Sequence, residues 1–216
     1  MNDIKHLIKN LLLIEWRERY ALNGILLYVF SSIFTVSLSV KVLNLPSWNA
    51  VFWILILFSS INAIAKSFIG ESKGKMLYFH GLVLPQKLIL AKSFYSAIIN
   101  LILSFVALFF YTTILGNPIQ NFSFYCIILV LASNGFAFTF TMISAIAQKS
   151  GNGNLLMPIL SFPIIIPFLL ILIKTSKKAM DGIDISLMYT DLMLLVLMNL
   201  LVATMAYVLF PFLWKE

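Results

Sequence analysis

The chain has 216 residues, of which 61% are hydrophobic and 11% charged, with a formal net charge of +7 and a mean hydropathy of +0.99. Soluble domains carry about 25% charged residues, so this composition excludes a water-soluble domain and points to an all-α integral membrane protein. The positive balance then reports topology and contact with anionic membrane lipid, not nucleic acid, since the basic residues are scattered through short loops. A single cysteine, Cys126, excludes an intramolecular disulfide and a multi-cysteine metal site.

Residues 2–19 are expected to lie on the membrane as an amphipathic helix. Ile4, Leu7, Ile8, Leu11, Leu12 and Ile14 share one face, with Lys5, His6, Lys9, Asn10 and Arg17 opposite. Trp16 and Tyr20 suit the headgroup level. Charges throughout, with no small-residue cleavage site, distinguish the stretch from a signal peptide. It serves either as an elbow helix leading into the first span or as a plain interfacial anchor.

Ala21–Val40 is the first expected span, because about 20 apolar residues are needed to cross roughly 30 Å of hydrocarbon. Lys41–Ser47, containing Pro46, reads as a turn, and Trp48–Ala65 as the second span. The stretch Lys66–Lys92 follows. It holds five of the fifteen Lys+Arg residues and Glu71, the only acid between Glu18 and Asp181. Met76, Leu77, Tyr78, Phe79, Leu82, Val83 and Leu84 make an apolar patch among the lysines. Two compatible readings fit: a docking surface for a soluble partner, or a helix lying in the lipid headgroups. Pro85 suits the first turn of a new helix, running through Lys92 into the third span, Ser93–Leu115.

Gly116, Asn117 and Pro118 make a turn before the fourth span, Phe122–Ala147, and the polar Gln148–Asn154 makes the next. The fifth span, Leu155–Ile173, contains Pro158, Pro163 and Pro167. Each proline removes a backbone donor and crowds the preceding turn, so this span is expected to be kinked or broken and packed inside the bundle beside a transport path. Lys174–Asp191 reads as a loop, and Leu192–Leu213 as the sixth span. The expected architecture is one domain over residues 1–216, a six-span bundle with an elbow helix and a cytoplasmic coupling helix between spans 2 and 3.

Six spans put both termini on one side. Eleven Lys+Arg residues fall on that side and four on the other, which places the termini and the Lys66–Lys92 stretch in the cytoplasm. No Asp, Glu, Lys, Arg or His lies within the six spans as drawn, which argues against an ion-coupled carrier, a voltage sensor or intramembrane hydrolysis. No catalytic residues and no metal site are expected, and the chain reads as a non-enzyme. Asn62, Asn100, Asn134 and Asn199 are expected to bond between helices. His6 and His80 lie outside the spans, each without a second ligand nearby, and read as surface histidines. Gly70–Lys75, GESKGK, lacks the spacing, the hydroxyl residue and the preceding strand of a nucleotide-binding loop. A bundle without energy coupling of its own, bearing a basic apolar patch on the cytoplasmic side, suits the transmembrane half of a transporter whose ATPase is a separate chain.

The arrangement of elbow helix, two spans, cytoplasmic helix and proline-led third span resembles the permeases of ABC-2 type. The residues carrying the likeness are Glu71, Gly74, Leu77, Leu84-Pro85 and Leu88-Ile89-Leu90-Ala91-Lys92. More narrowly, the chain resembles the haem exporter B subunit of cytochrome c maturation, the CcmB family. Its fifth-span run, Ser161-Phe162-Pro163-Ile164-Ile165-Ile166-Pro167, resembles that family's L-P-L-x-I-P pattern, and Gly135-Phe136 through Lys149, Leu155 and Leu156 matches as well. Where members often carry an acidic-Gly-Thr/Ser-Leu-Glu run, this chain has Lys75-Met76-Leu77-Tyr78-Phe79, a more basic surface.

The resemblance implies a permease in the bacterial inner membrane. It implies haem as cargo, ATP on a partner ATPase subunit, a second copy of the chain, other haem-handling membrane proteins and a periplasmic haem chaperone. It places ATPase coupling on Glu71, Gly74, Lys75, Leu77, Leu84, Pro85 and Lys92, and no tightly bound cofactor on this chain. The alternatives are an ABC-2 permease for a lipid, glycan or drug, and a membrane scaffold that moves nothing.

Overall fold

Hydrocarbon offers backbone groups no hydrogen-bond partner, so each long apolar run must satisfy its own N–H and C=O groups as a helix. The computed structural model describes residues 19–40, 43–69, 84–149 and 153–214. Among these it has six long helices: α1 Arg19–Ser39, α2 Leu45–Ile69, α3 Pro85–Leu115, α4 Phe122–Lys149, α5 Gly153–Met180 and α6 Tyr189–Trp214. A single 3-10 turn, Ile185–Leu187, precedes α6. Helices α2 to α6 are long and apolar enough to cross a membrane. The apolar part of α1, Asn23–Ser39, is shorter at 17 residues, the low end of the spanning range of about 17–25. The expected surface helix over 2–19 and most of the Lys66–Lys92 stretch lie outside the described residues.

The helices start where local chemistry dictates. Asn44 Oδ1 accepts a hydrogen bond from Ser47 N at 3.0 Å, capping α2, so Pro46 lies inside the first turn and not in the expected turn over 41–47. Pro85 is the first residue of α3, as expected, with Leu84 extended before it. Asn121 Oδ1 accepts from Phe124 N at 3.3 Å and caps α4. At the other end of α5, Gly182 adopts a φ of 69°, and Ile183 N donates to Lys178 O at 3.1 Å, a left-handed closure that spares the last carbonyls. The loop after α3 seals this end: Asn121 N donates to Ala179 O at 3.1 Å.

Two expectations about α5 are corrected. The segment from Lys174 to Met180 is not loop but the last turns of the helix. The helix also runs without interruption through Pro163 and Pro167, and both prolines are exposed on its outer face, whereas Ser161, Ile165, Phe168 and Leu172 turn inward. The carbonyls freed by the two prolines, those of Ile159 and Pro163, thus belong to an outward strip of helix, and the remaining backbone bonds carry the helix through.

Helix α4 is the hub, packing against α2, α3, α5 and α6, while α1 lies against α2 and α3. Successive helices from α2 to α6 alternate in direction. The far end of the bundle gathers Trp48, Tyr111, Tyr125 and Ser176; the near end gathers Leu88, Ile89, Met142, Ala145, Ala206 and Phe210 in a small core of their own. Outward faces carry Leu27, Phe109, Leu170, Met193 and Phe212 largely exposed, a surface suited to lipid and not to water.

Candidate functional site

The polar groups inside the bundle fall into three layers. The far-end layer is built on Asn49 of α2. Its Nδ2 donates to Ile173 O of α5 at 3.0 Å, and its Oδ1 accepts from Ser176 Oγ at 2.9 Å, from Trp53 Nε1 at 3.1 Å and from Tyr125 OH of α4 at 3.3 Å. Trp53 Nε1 also lies 2.7 Å from Ser176 Oγ, and Tyr111 OH of α3 donates to Trp48 O at 3.0 Å. Around these bonds the rings of Trp48, Phe52, Trp53, Tyr111 and Tyr125 pack edge-on and stacked, with centroids 4.7–6.3 Å apart. One asparagine thereby ties α2 to both α4 and α5. The layer is packed as a lock: the polar tips of Asn49, Trp53, Tyr111, Tyr125 and Ser176 find partners, whereas the buried Trp48 indole N–H has none among the described residues, and the rings exclude lipid.

At the same end, Asp191 in the first turn of α6 is buried between two lysines of α5. Lys178 Nζ lies 2.6 Å from Asp191 Oδ2, and Lys174 Nζ lies 3.2 Å from Oδ1. The two lysines are one helical turn apart, so one carboxylate meets both. The negative charge also lies at the favourable end of the α6 dipole.

The middle layer joins α2, α3 and α4. Ser60 Oγ meets Asn100 Oδ1 at 2.7 Å, Asn100 Nδ2 donates to Ser133 O at 3.1 Å, and Ser133 Oγ meets Ser104 Oγ at 3.1 Å. Beside it, Asn199 of α6 donates to Leu131 O of α4 at 3.1 Å. Gly135 makes that approach possible. A methyl group placed there would fall on the Phe168 ring and within 2.9 Å of Asn199 Oδ1. Phe168 in turn packs edge-on against Phe136, with centroids 5.5 Å apart.

The near-end layer holds Lys92, Ser93 and Ser96 of α3 and Thr141, Ser144 and Gln148 of α4, with Lys92 only 1% exposed. These layers divide a bundle whose sequence matches the family described as CcmB protein over residues 4–213. The chain belongs to the CcmB family. A search among curated proteins finds no match. As a CcmB-family chain it is a multi-pass membrane protein of the haem-export permease type.

The residues that carried the likeness have varied places. Glu71, Gly74, Lys75 and Leu77 lie outside the described residues, as do His6 and His80. Leu84 is 60% exposed at the near end and Pro85 half-buried behind it, so both border the surface there. Lys92 departs from expectation: it is buried inside the near-end layer, and its ammonium is not part of the outer surface of the described bundle. Pro163 and Pro167, expected beside a path, face outward from the described helices. Of the four asparagines expected to bond between helices, Asn100 and Asn199 do so, whereas Asn62 is exposed and Asn134 half-buried.

Asn49, next to Trp48 at the start of the second expected span, is not singled out by the sequence. Lys174, Lys178 and Asp191 read there as loop charges. The four-residue spacing of the lysines, with one acid a short reversal away, was the signal available.

Proposed function

We propose that this chain is the membrane permease subunit of an ABC-type transporter that handles haem for c-type cytochrome assembly in the bacterial inner membrane. The observation that carries this reading is the family match over residues 4–213, nearly the whole chain. ATP is hydrolysed on a separate ATPase chain, and the near end of the bundle faces the cytoplasm, as the excess of Lys and Arg on that side supports. Glu71, Gly74, Lys75 and Leu77, with Leu84 and Pro85 at the start of α3, form the surface on which that ATPase docks. Lys92, buried behind this surface, positions α3 and does not touch the partner.

Haem is a flat apolar ring with two anionic propionates. The bundle offers the ring Phe, Ile and Leu side chains, and the basic near-end rim attracts the propionates. The hub position of α4 supports a mechanical role: any push on the start of α3 reaches α2, α5 and α6 through α4. Haem ligands come from partner proteins, among them a periplasmic chaperone, and a second copy of the chain completes the transporter. Deleting the gene is expected to abolish covalent haem on c-type cytochromes while leaving b-type cytochromes intact, read by haem-stained gels and difference spectra. Normal c-type cytochromes in a strain without a second copy of the gene would remove this function in favour of a permease for a lipid, glycan or drug.

A further inference from the structure

A hydroxyl inside a helix ordinarily returns its proton to a carbonyl one turn back. Thr112, Ser133, Ser161 and Thr175 do so here, at 2.6–2.9 Å, and Ser60 and Ser176 lie 2.7 Å from such a carbonyl while also reaching an asparagine oxygen. Ser93 and Ser96 of α3 and Thr141 of α4 do not. Their side chains are 1%, 2% and 0% exposed, and their hydroxyl oxygens find no hydrogen-bond partner among the described residues. An unbonded buried hydroxyl costs about 1–3 kcal/mol, and native structures rarely leave several together unsatisfied.

The three belong to one level of the bundle. The bonds from Asn100 to Ser133 and between Ser133 and Ser104 set the antiparallel register of α3 against α4. On the same face of α3, Ser96 and Ser93 lie one and two turns nearer the near end than Asn100. Thr141 lies eight residues beyond Ser133, roughly 12 Å along α4, which brings it level with them. Lys92 is buried at the same level. Above this level the seam closes: the Ser60–Asn100–Ser133 layer is bonded within itself.

We propose that the near-end half of the α3–α4 seam is an aqueous vestibule, in which water bonded to Ser93, Ser96 and Thr141 reaches to just below the Asn100–Ser133 layer. It offers the polar end of an amphiphilic cargo a hydrated place inside an otherwise apolar bundle. The vestibule goes beyond the haem reading and does not depend on it, because its test contains no haem.

The test places single cysteines at positions 93, 96 and 141 (Ser93→Cys, Ser96→Cys, Thr141→Cys) in a Cys126→Ser background. The full chain, with the partner subunits that co-purify, is held in lipid nanodiscs and treated with a charged, membrane-impermeant methanethiosulfonate. Ala107→Cys and Ala132→Cys, equally buried but beyond the closed layer, serve as dry references. The three vestibule cysteines are expected to react roughly tenfold or more faster than the references, since the attacking thiolate forms only where water stabilises it. Rates as slow as the references would overturn the proposal. A second measurement guards against disturbed packing. The combined Ser93→Ala, Ser96→Ala and Thr141→Val variant should unfold more readily than the parent if its hydroxyls hold water. Greater stability of that variant would show the hydroxyls to be dry, and would equally overturn the vestibule.

Discussion

Replacing Asn49 with Leu keeps the branching of the side chain at Cγ and removes its polar atoms, so it probes the far-end lock. Three interhelical hydrogen bonds disappear: to Ile173 O, from Ser176 Oγ and from Tyr125 OH. Interhelical bonds in membranes average about 0.6 kcal/mol each and reach about 1.7, so their loss amounts to about 2 kcal/mol. Trp53 and Ser176 keep each other at 2.7 Å and Ser176 keeps Leu172 O, whereas the buried Tyr125 hydroxyl loses the one partner recorded for it. That orphan adds about 1–3 kcal/mol. The variant should therefore unfold with a free energy lower by about 3–5 kcal/mol, measured in mixed detergent–SDS micelles by the fluorescence of the buried Trp48 and Trp53. The reasoning assigns a distinct share to Tyr125. Adding Tyr125→Phe to Asn49→Leu removes the orphan and should recover about 1 kcal/mol or more relative to additivity. Strictly additive losses would refute the idea that Asn49 and Tyr125 work as one unit.

Gly135→Val should destabilise the bundle by about 1–3 kcal/mol, because its side chain meets the Phe168 ring and Asn199 Oδ1; an unchanged detergent melting temperature would show that α4, α5 and α6 do not approach as closely as described. Asp191→Asn should cost on the order of 1 kcal/mol by leaving Lys174 and Lys178 without their shared carboxylate, and the loss should shrink when Lys178→Gln is added; equal losses in both backgrounds would show that Asp191 and Lys178 do not act as a pair. Pro163→Ala with Pro167→Ala should raise the melting temperature, since two backbone bonds are restored on an outward face with no inward packing disturbed; a lower melting temperature would mean that the prolines are packed against something they do not touch within this chain.

The sequence alone determined that the chain is a helical membrane protein, and where each helix runs to within a few residues. Bilayer thickness sets the length of an apolar run and hydrocarbon forces it into a helix, so hydropathy suffices for both. Local signals held where they were strictly local: Pro85 opens α3 because its missing N–H costs nothing at a first position. They misled where a distant partner intervenes. Lys174 and Lys178 belong to α5 and not to a loop, because Asp191, seventeen and thirteen residues on, meets them from the next helix. Pro163 and Pro167 suggested an inner break, yet which way a proline faces depends on the neighbours of its helix and not on its own residue type.

The tertiary structure decided which faces meet, and with them every candidate site. The helices of this bundle are apolar all round, so the periodicity that marks the buried face of a soluble helix is absent. Asn49 and Asn62 both lie in α2, and only packing makes one a hub of four hydrogen bonds and leaves the other exposed. Lys92 reads as a surface charge until the tertiary structure buries it, and Gly135 reads as any helix glycine until Phe168 and Asn199 close on it. In lipid, burial is set by helix-to-helix complementarity and not by hydrophobicity, and complementarity belongs to pairs of surfaces that no single stretch of sequence contains.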